Sequence, residues 1–125
     1  MVKVISTKDA PAAVGAYSQA ISANGMLFVS GQLGLNSATG TFAGEDFKSQ
    51  AEQSLKNIEA ILKSEGLDFS KVVKASVFLA DINDFAALNE VYGKYFVEPY
   101  PARSAVAAKT LPKGGLVEIE VIAAY

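Results

Sequence analysis

The chain has 125 residues, half of them hydrophobic, with 11 basic and 13 acidic side chains and a net charge of -2, which suits one domain spanning 1–125 around a single core. Cysteine and histidine are both absent, which excludes thiol chemistry, every Ser-His-Asp or Cys-His nucleophile and the usual zinc ligand sets. The basic residues are scattered and no apolar stretch reaches membrane-span length, so neither nucleic acid nor a membrane is the expected partner.

Val2 to Ser6 alternates weakly and reads as a short first strand, followed by a loop from Asp9 to Gly15. The opening MVKVIST has no long apolar core of a secretory signal, which points to a cytoplasmic protein. Apolar runs flank Asn24-Gly25, a pair that favours the type I′ turn of a tight hairpin. That turn sets Ala23 opposite Met26 and Ile21 opposite Phe28, and carried further it sets Tyr17 opposite Gln32, beside Gly31. Asp46 to Glu65 reads as an amphipathic helix, with Ala51, Leu55, Ile58, Ile61 and Leu62 on one face and Gly66 as its stop. Val72 to Leu79, rich in β-branched residues, reads as a strand. A second helix, capped by Asn83 or Asp84, gathers Phe85, Leu88, Tyr92, Tyr95 and Phe96 on one face and is ended by Pro99 and Pro101. Arg103 to Lys109 is a short strand, Lys113-Gly114-Gly115 a turn, and Leu116 to Tyr125 the last strand.

The spacing therefore predicts an α+β fold with both helices on one face of a single sheet. In the last strand Val117, Ile119, Val121 and Ala123 face one way, while Glu118, Glu120, Ile122 and Ala124 face the other. An open face mixing carboxylates with Ile and Ala suits a subunit interface, and a homo-oligomer is its natural outcome.

Without His or Cys, acid–base work falls to Asp, Glu, Tyr, Lys or bound water. Arg103 stands alone among small and apolar neighbours. Its planar fork either grips an anion such as a carboxylate or snorkels to solvent. Glu118 and Glu120 share one strand face, where one of them serves as a base or both are solvated edge charges. Tyr17 offers a phenol or merely packs, and Asn89 is polar in an apolar helix. Gly31 and Gly34 belong to no phosphate-loop pattern, which excludes nucleotide binding through such a loop.

Pro101-Ala102-Arg103-Ser104, then Val106, Lys109, Leu111 and Val117-Glu118-Ile119, resembles the signature of the RidA (YjgF) family. APAAVGAYSQAI, FVSGQLG and INDFAALNEVYGKYF agree as well, so the resemblance runs in order from about Val2 to Ala124. It implies the chorismate-mutase-like α+β fold, a sheet of about six strands with two helices packed on one face. It also implies a homotrimer with clefts between subunits, and hydrolysis of enamines and imines released by pyridoxal-phosphate enzymes to 2-keto acids and ammonia. By the same resemblance Arg103 binds the substrate carboxylate and Glu118 activates the attacking water. Tyr17 lines the cleft, Gly31 and Ala105 offer backbone groups, and Asn89 lies near the site. Many relatives carry cysteine where this chain has Ala105. The segment between Phe96 and Pro101 looks short against some of them. No cofactor, metal or covalent nucleophile is implied. The alternatives are a non-catalytic trimer that binds small carboxylates, as a sensor or chaperone, and an endoribonuclease.

Overall fold

A computed structural model describes residues 2–125. In chain order its elements are β1 (Lys3–Ile5), β2 (Ala20–Ala23), β3 (Met26–Leu33), α1 (Phe47–Ser64), β4 (Val72–Leu79), α2 (Phe85–Tyr92), β5 (Ala102–Ala107) and β6 (Val117–Ala124). The six strands form one sheet in the order β1-β2-β3-β6-β4-β5. Only β4 and β5 run parallel. A parallel pair needs a crossover, and the segment containing α2 supplies it.

The Asn24-Gly25 turn takes the left-handed conformation at both residues, with φ of 51° and 75°. It fixes the register that the sequence predicts, Ala23 opposite Met26 and Ile21 opposite Phe28. The ladder stops earlier than the sequence suggests. Beyond Ala20 it is continued only by Ser30 N–H to Gln19 O (2.9 Å) and Ser30 Oγ to Ser18 O (2.6 Å). Tyr17 is therefore a loop residue, not a strand residue facing Gln32. The physical cause lies on the other edge of β3, where its register with β6 shifts between Val29 and Gln32.

Helix α1 begins where expected. Asp46 caps it by accepting from Ser49 N–H (3.0 Å), a bond worth about 1 kcal/mol. Glu65 and Gly66 end it, Gly66 in the left-handed region at φ 71°. Ala51, Leu55, Ile58, Ile61 and Leu62 are fully buried, each large aliphatic side chain contributing about 1.5–3 kcal/mol. Close contact with the sheet is made possible by Gly34, where any Cβ would come 2.3 Å from the Gln50 carbonyl oxygen.

The second helix is shorter than its apolar pattern. It ends at Tyr92, well before the prolines, and Tyr95 and Phe96 follow in a tightened turn whose N–H groups both bond Tyr92 O, at 3.1 and 3.0 Å. That turn drives Phe96 into the core, stacked on Tyr92 at 4.2 Å with Phe69 edge-on at 4.9 Å. Aromatic packing thus outweighs helical continuation. Asp84 holds the N-cap position of this helix, as expected, but makes no side-chain capping bond; the side-chain cap lies one turn earlier, where Asp81 accepts from Asn83 N–H (2.9 Å) at the head of a short 3-10 turn, Ile82–Asp84.

One buried cluster joins both helices to Val117, Ile119, Val121 and Ala123 of β6. Both helices therefore cover one face. On the other face Val4, Ile21, Phe28 and Ile122 stand in cross-strand register as an apolar row. Among the described residues nothing covers Val4 or Phe28 fully, and Val106 on the same face is also exposed.

Candidate active site

Glu118 projects from β6 onto the open face. Leu33 is its partner across the ladder, and diagonally from it the register shift in β3 brings Gly31 so close that an added Cβ would lie 2.9 Å from the Glu118 carboxyl carbon. Glycine is favoured here by space, not by backbone angle, since any Cβ would push the flexible Glu118 side chain from its place. Burial pushes the Glu118 carboxyl above the usual carboxylate range, and the neighbouring Glu120 charge pushes it further. A cavity of about 810 Å³ gathers Glu118, Glu120, Gly31 and Tyr17, with Val14 and Phe28 as apolar wall. The loop bearing Tyr17 is held from within. Gln19, 3% exposed, donates from Nε2 to the carbonyls of Thr7, Ala10 and Pro11 and accepts from Thr7 N–H.

Arg103 projects from β5 onto the helix-covered face. Its Nη1 donates to Asn89 Oδ1 at 2.8 Å. Its guanidinium lies 4.8 Å from the Tyr92 ring centre and 5.4 Å from that of Phe85. Those contacts hold the fork in one pose while leaving donors free toward a second cavity, of about 390 Å³, lined by Asn89, Tyr92, Tyr100 and Arg103. The positive charge of Arg103 opposes the effect of burial on Tyr92, whose phenol is raised on balance. Ala105 turns its methyl toward the core. Ala108 N–H bonds Leu79 O of β4 at 2.8 Å, so by strand alternation the N–H groups of Arg103 and Ala105 point to the sheet's outer edge.

Arg103 aligns with Ala75 of β4, whereas Glu118 aligns with Phe78. Residues three apart on a strand face opposite ways, so the two charged groups lie on opposite sides of the sheet. The chain thus joins Tyr17, Gly31 and Glu118 in one cavity and Arg103 and Asn89 in another. It does not bring the two sets together. Among the described residues no cluster of three or more Asp and Glu suits a metal ion, and no helix is long and apolar enough to cross a membrane. Sequence reasoning missed Gln19, because a glutamine beside a hairpin carries no local sign of burial.

Residues 7–125 match the family model described as Endoribonuclease L-PSP. The chain belongs to the RidA (YjgF) family. It is 52% identical over 97% of its length to a goat (Capra hircus) protein named 2-iminobutanoate/2-iminopropanoate deaminase, covering 88% of that relative. Among solved structures, RidA from the Antarctic bacterium Psychrobacter sp. PAMC 21119 is 50% identical with a TM-score of 0.95, covering 98% of this chain and 99% of that one. E. coli TdcF with bound serine is 42% identical with a TM-score of 0.93, at 98% coverage of both. The RidA-type sheet with two helices on one face is thus as the sequence implies.

Proposed function

We propose that this protein is a 2-iminobutanoate/2-iminopropanoate deaminase, a cytoplasmic homotrimer that hydrolyses imines released by pyridoxal-phosphate enzymes to 2-keto acids and ammonia. The observation that carries this reading is the 52% identity to the goat deaminase over 97% of the chain. The geometry supports it, because a pre-oriented guanidinium and a carboxylate of raised proton affinity are the two groups this reaction needs. Since they occupy opposite faces, a complete site needs a second copy. The apolar row Val4–Ile21–Phe28–Ile122 suits burial against one. The outer edge of β5 then presents Arg103 and the Ala105 N–H to a neighbour's Glu118, Gly31 and Tyr17.

In such a cleft Arg103 takes the substrate carboxylate bidentately and Asn89 keeps the guanidinium in plane. Glu118 holds a water against the iminium carbon, which the positive nitrogen already makes electrophilic. As the C–O bond forms, Glu118 accepts a proton from that water. It returns the proton to nitrogen in the carbinolamine, the C–N bond breaks, and the hydroxyl proton leaves with ammonia as ammonium. Iminium acid plus water thus becomes keto acid plus ammonium. The step asks for placement and modest acid–base help, and the reaction needs no cofactor, metal or covalent nucleophile.

The test is to generate 2-iminobutanoate with a threonine dehydratase and follow 2-ketobutyrate. The wild-type chain is expected to accelerate its release over buffer, and an unchanged rate sinks the reading. Light scattering in the same buffer reads the trimer.

The family description favours a second reading, an endoribonuclease. The lack of histidine, the net charge of -2 and the scattered basic residues weigh against RNA as substrate. Salt-sensitive RNA binding at low ionic strength would revive it.

A further inference from the structure

The face of a helix that packs on a sheet is ordinarily apolar. On α1 three inward residues, Gln50, Ser54 and Asn57, are instead polar and almost wholly buried, at 4%, 0% and 1% exposed. Their spacing of four and three residues places them along one ridge. Burying such groups is unfavourable unless they are bonded, and all three are bonded. Ser54 Oγ donates to Gln32 O at 2.6 Å, and Asn57 Nδ2 donates to Leu33 O at 3.2 Å and Leu35 O at 2.9 Å. Gln50 Nε2 donates to Gly44 O at 3.0 Å, while its Oε1 accepts from Leu116 N–H at 2.9 Å.

Two of the three side chains thus converge on one stretch of main chain, and it is the stretch that follows Gly31. The register of β3 against β6 shifts between Val29 and Gln32. A bulge of this kind takes backbone groups out of the ladder, and the α1 ridge receives carbonyls there. The residue immediately before those carbonyls is Gly31, whose missing Cβ, which would lie 2.9 Å from the Glu118 carboxyl carbon, leaves room for that carboxylate. Gln50 grips the other strand, through Leu116, two residues before Glu118. Gly34 lets the helix backbone sit close enough for these side chains to reach.

We propose that Ser54 and Asn57, assisted by Gln50, are positioning residues: they fix the β3 bulge so that the Gly31 backbone is held against Glu118 and the water-holding end of the cleft keeps its shape. This inference rests on the deaminase reading above. None of the three touches substrate, and their action passes through the main chain.

Full-length Ser54→Ala, Ser54→Thr and Asn57→Ala are compared with wild type, with Ile58→Val as a packing control in the same helix. Imine hydrolysis gives kcat and KM, and amide hydrogen exchange is read at Gly31 and Gln32. Ser54→Ala and Asn57→Ala are expected to lower kcat about tenfold with KM within about twofold, and to speed exchange at Gly31. Ser54→Thr, which keeps the hydroxyl, recovers most of the kcat. Ile58→Val lowers the melting temperature and leaves kcat and the Gly31 exchange rate as they were. Where Ser54→Ala fails to fold, Ser54→Cys replaces it, keeping the volume with a weaker donor. Wild-type kcat in folded Ser54→Ala and Asn57→Ala, or an equal kcat loss in Ile58→Val, overturns the proposal. A wild-type chain no faster than buffer overturns the deaminase reading instead. The exchange rates then decide the positioning role alone, with unchanged protection at Gly31 in both alanine variants counting against it.

Discussion

Arg103 and Glu118 carry opposite charges, reach opposite faces of one sheet, and are prepared by the chain in opposite ways. Arg103 is held on several sides, by a hydrogen bond to Asn89 and by the rings of Tyr92 and Phe85. Glu118 meets a glycine backbone and a second carboxylate, and its charged form is disfavoured. The ion pairs among the described residues join Lys48, Lys63 and Lys94 to other glutamates, so the chain neutralises neither group with a salt bridge. The contrast separates two tasks. One group is fixed in geometry and suits binding, whereas the other is shifted in proton affinity and suits proton transfer.

Removing the geometrically fixed group should have the largest effect. Bidentate hydrogen bonds to a charged carboxylate contribute roughly 1.5–3 kcal/mol each, so Arg103→Ala is expected to lose about 10³-fold in kcat/KM. Arg103→Lys should recover little, because Asn89 and the two rings match a planar fork rather than an ammonium. Keto-acid release decides this, and near-normal activity in the lysine variant would show that charge alone suffices.

Gly31→Ala attacks the other group through space. A Cβ at 2.9 Å from the Glu118 carboxyl carbon pushes this flexible side chain aside, with an expected loss of about 1 kcal/mol in thermal or denaturant unfolding. If the clash is with Glu118 itself, the double variant Gly31→Ala/Glu118→Ala recovers much of that stability. Strict additivity in the cycle would place the cause elsewhere.

The sequence showed the frame around these two groups more directly than the groups themselves. Hairpin register, α1 and the alternation of β6 were legible because each rests on local chemistry: a turn that needs left-handed residues, a capped apolar stripe, and a two-residue period. Arg103 and Glu118 stood out only through a spaced pattern shared with a family. What stayed hidden was long-range. The bulge at Gly31 depends on pairing with β6, and the burial of Ser54, Asn57 and Gln19 depends on carbonyls distant in the chain. The α2 boundary was misread because Tyr95 and Phe96 keep helical spacing while serving an aromatic cluster with Phe69.

Asn89 sharpens the comparison on the Arg103 side. Asn89→Ala removes one hydrogen bond but leaves both rings, so about 1 kcal/mol is expected, seen as a few-fold rise in KM with kcat nearly kept. A fall in kcat with unchanged KM would mean that Asn89 meets the reacting atoms instead.

The finest test lies in the protons of Glu118. Its folded-state pKa is raised, by burial first and by Glu120 second, so the folded chain holds this proton more tightly than the unfolded chain does. The stability it contributes is therefore fully present below the ordinary carboxylate range and is lost as pH rises through the raised value. Glu118→Gln keeps a neutral group at every pH. It is expected to be more stable than wild type at neutral pH, equally stable in acid, and inactive. In the proposed mechanism Glu118 acts in its ionised form, so the acid limb of the wild-type rate profile should follow the raised pKa. Glu120→Gln removes only the lesser cause and should move that limb modestly toward acid while burial keeps most of the shift. A limb that stays in place would show that Glu120 does not influence the working carboxylate. One that falls all the way to the ordinary range would show that Glu120, rather than burial, sets the proton affinity of Glu118.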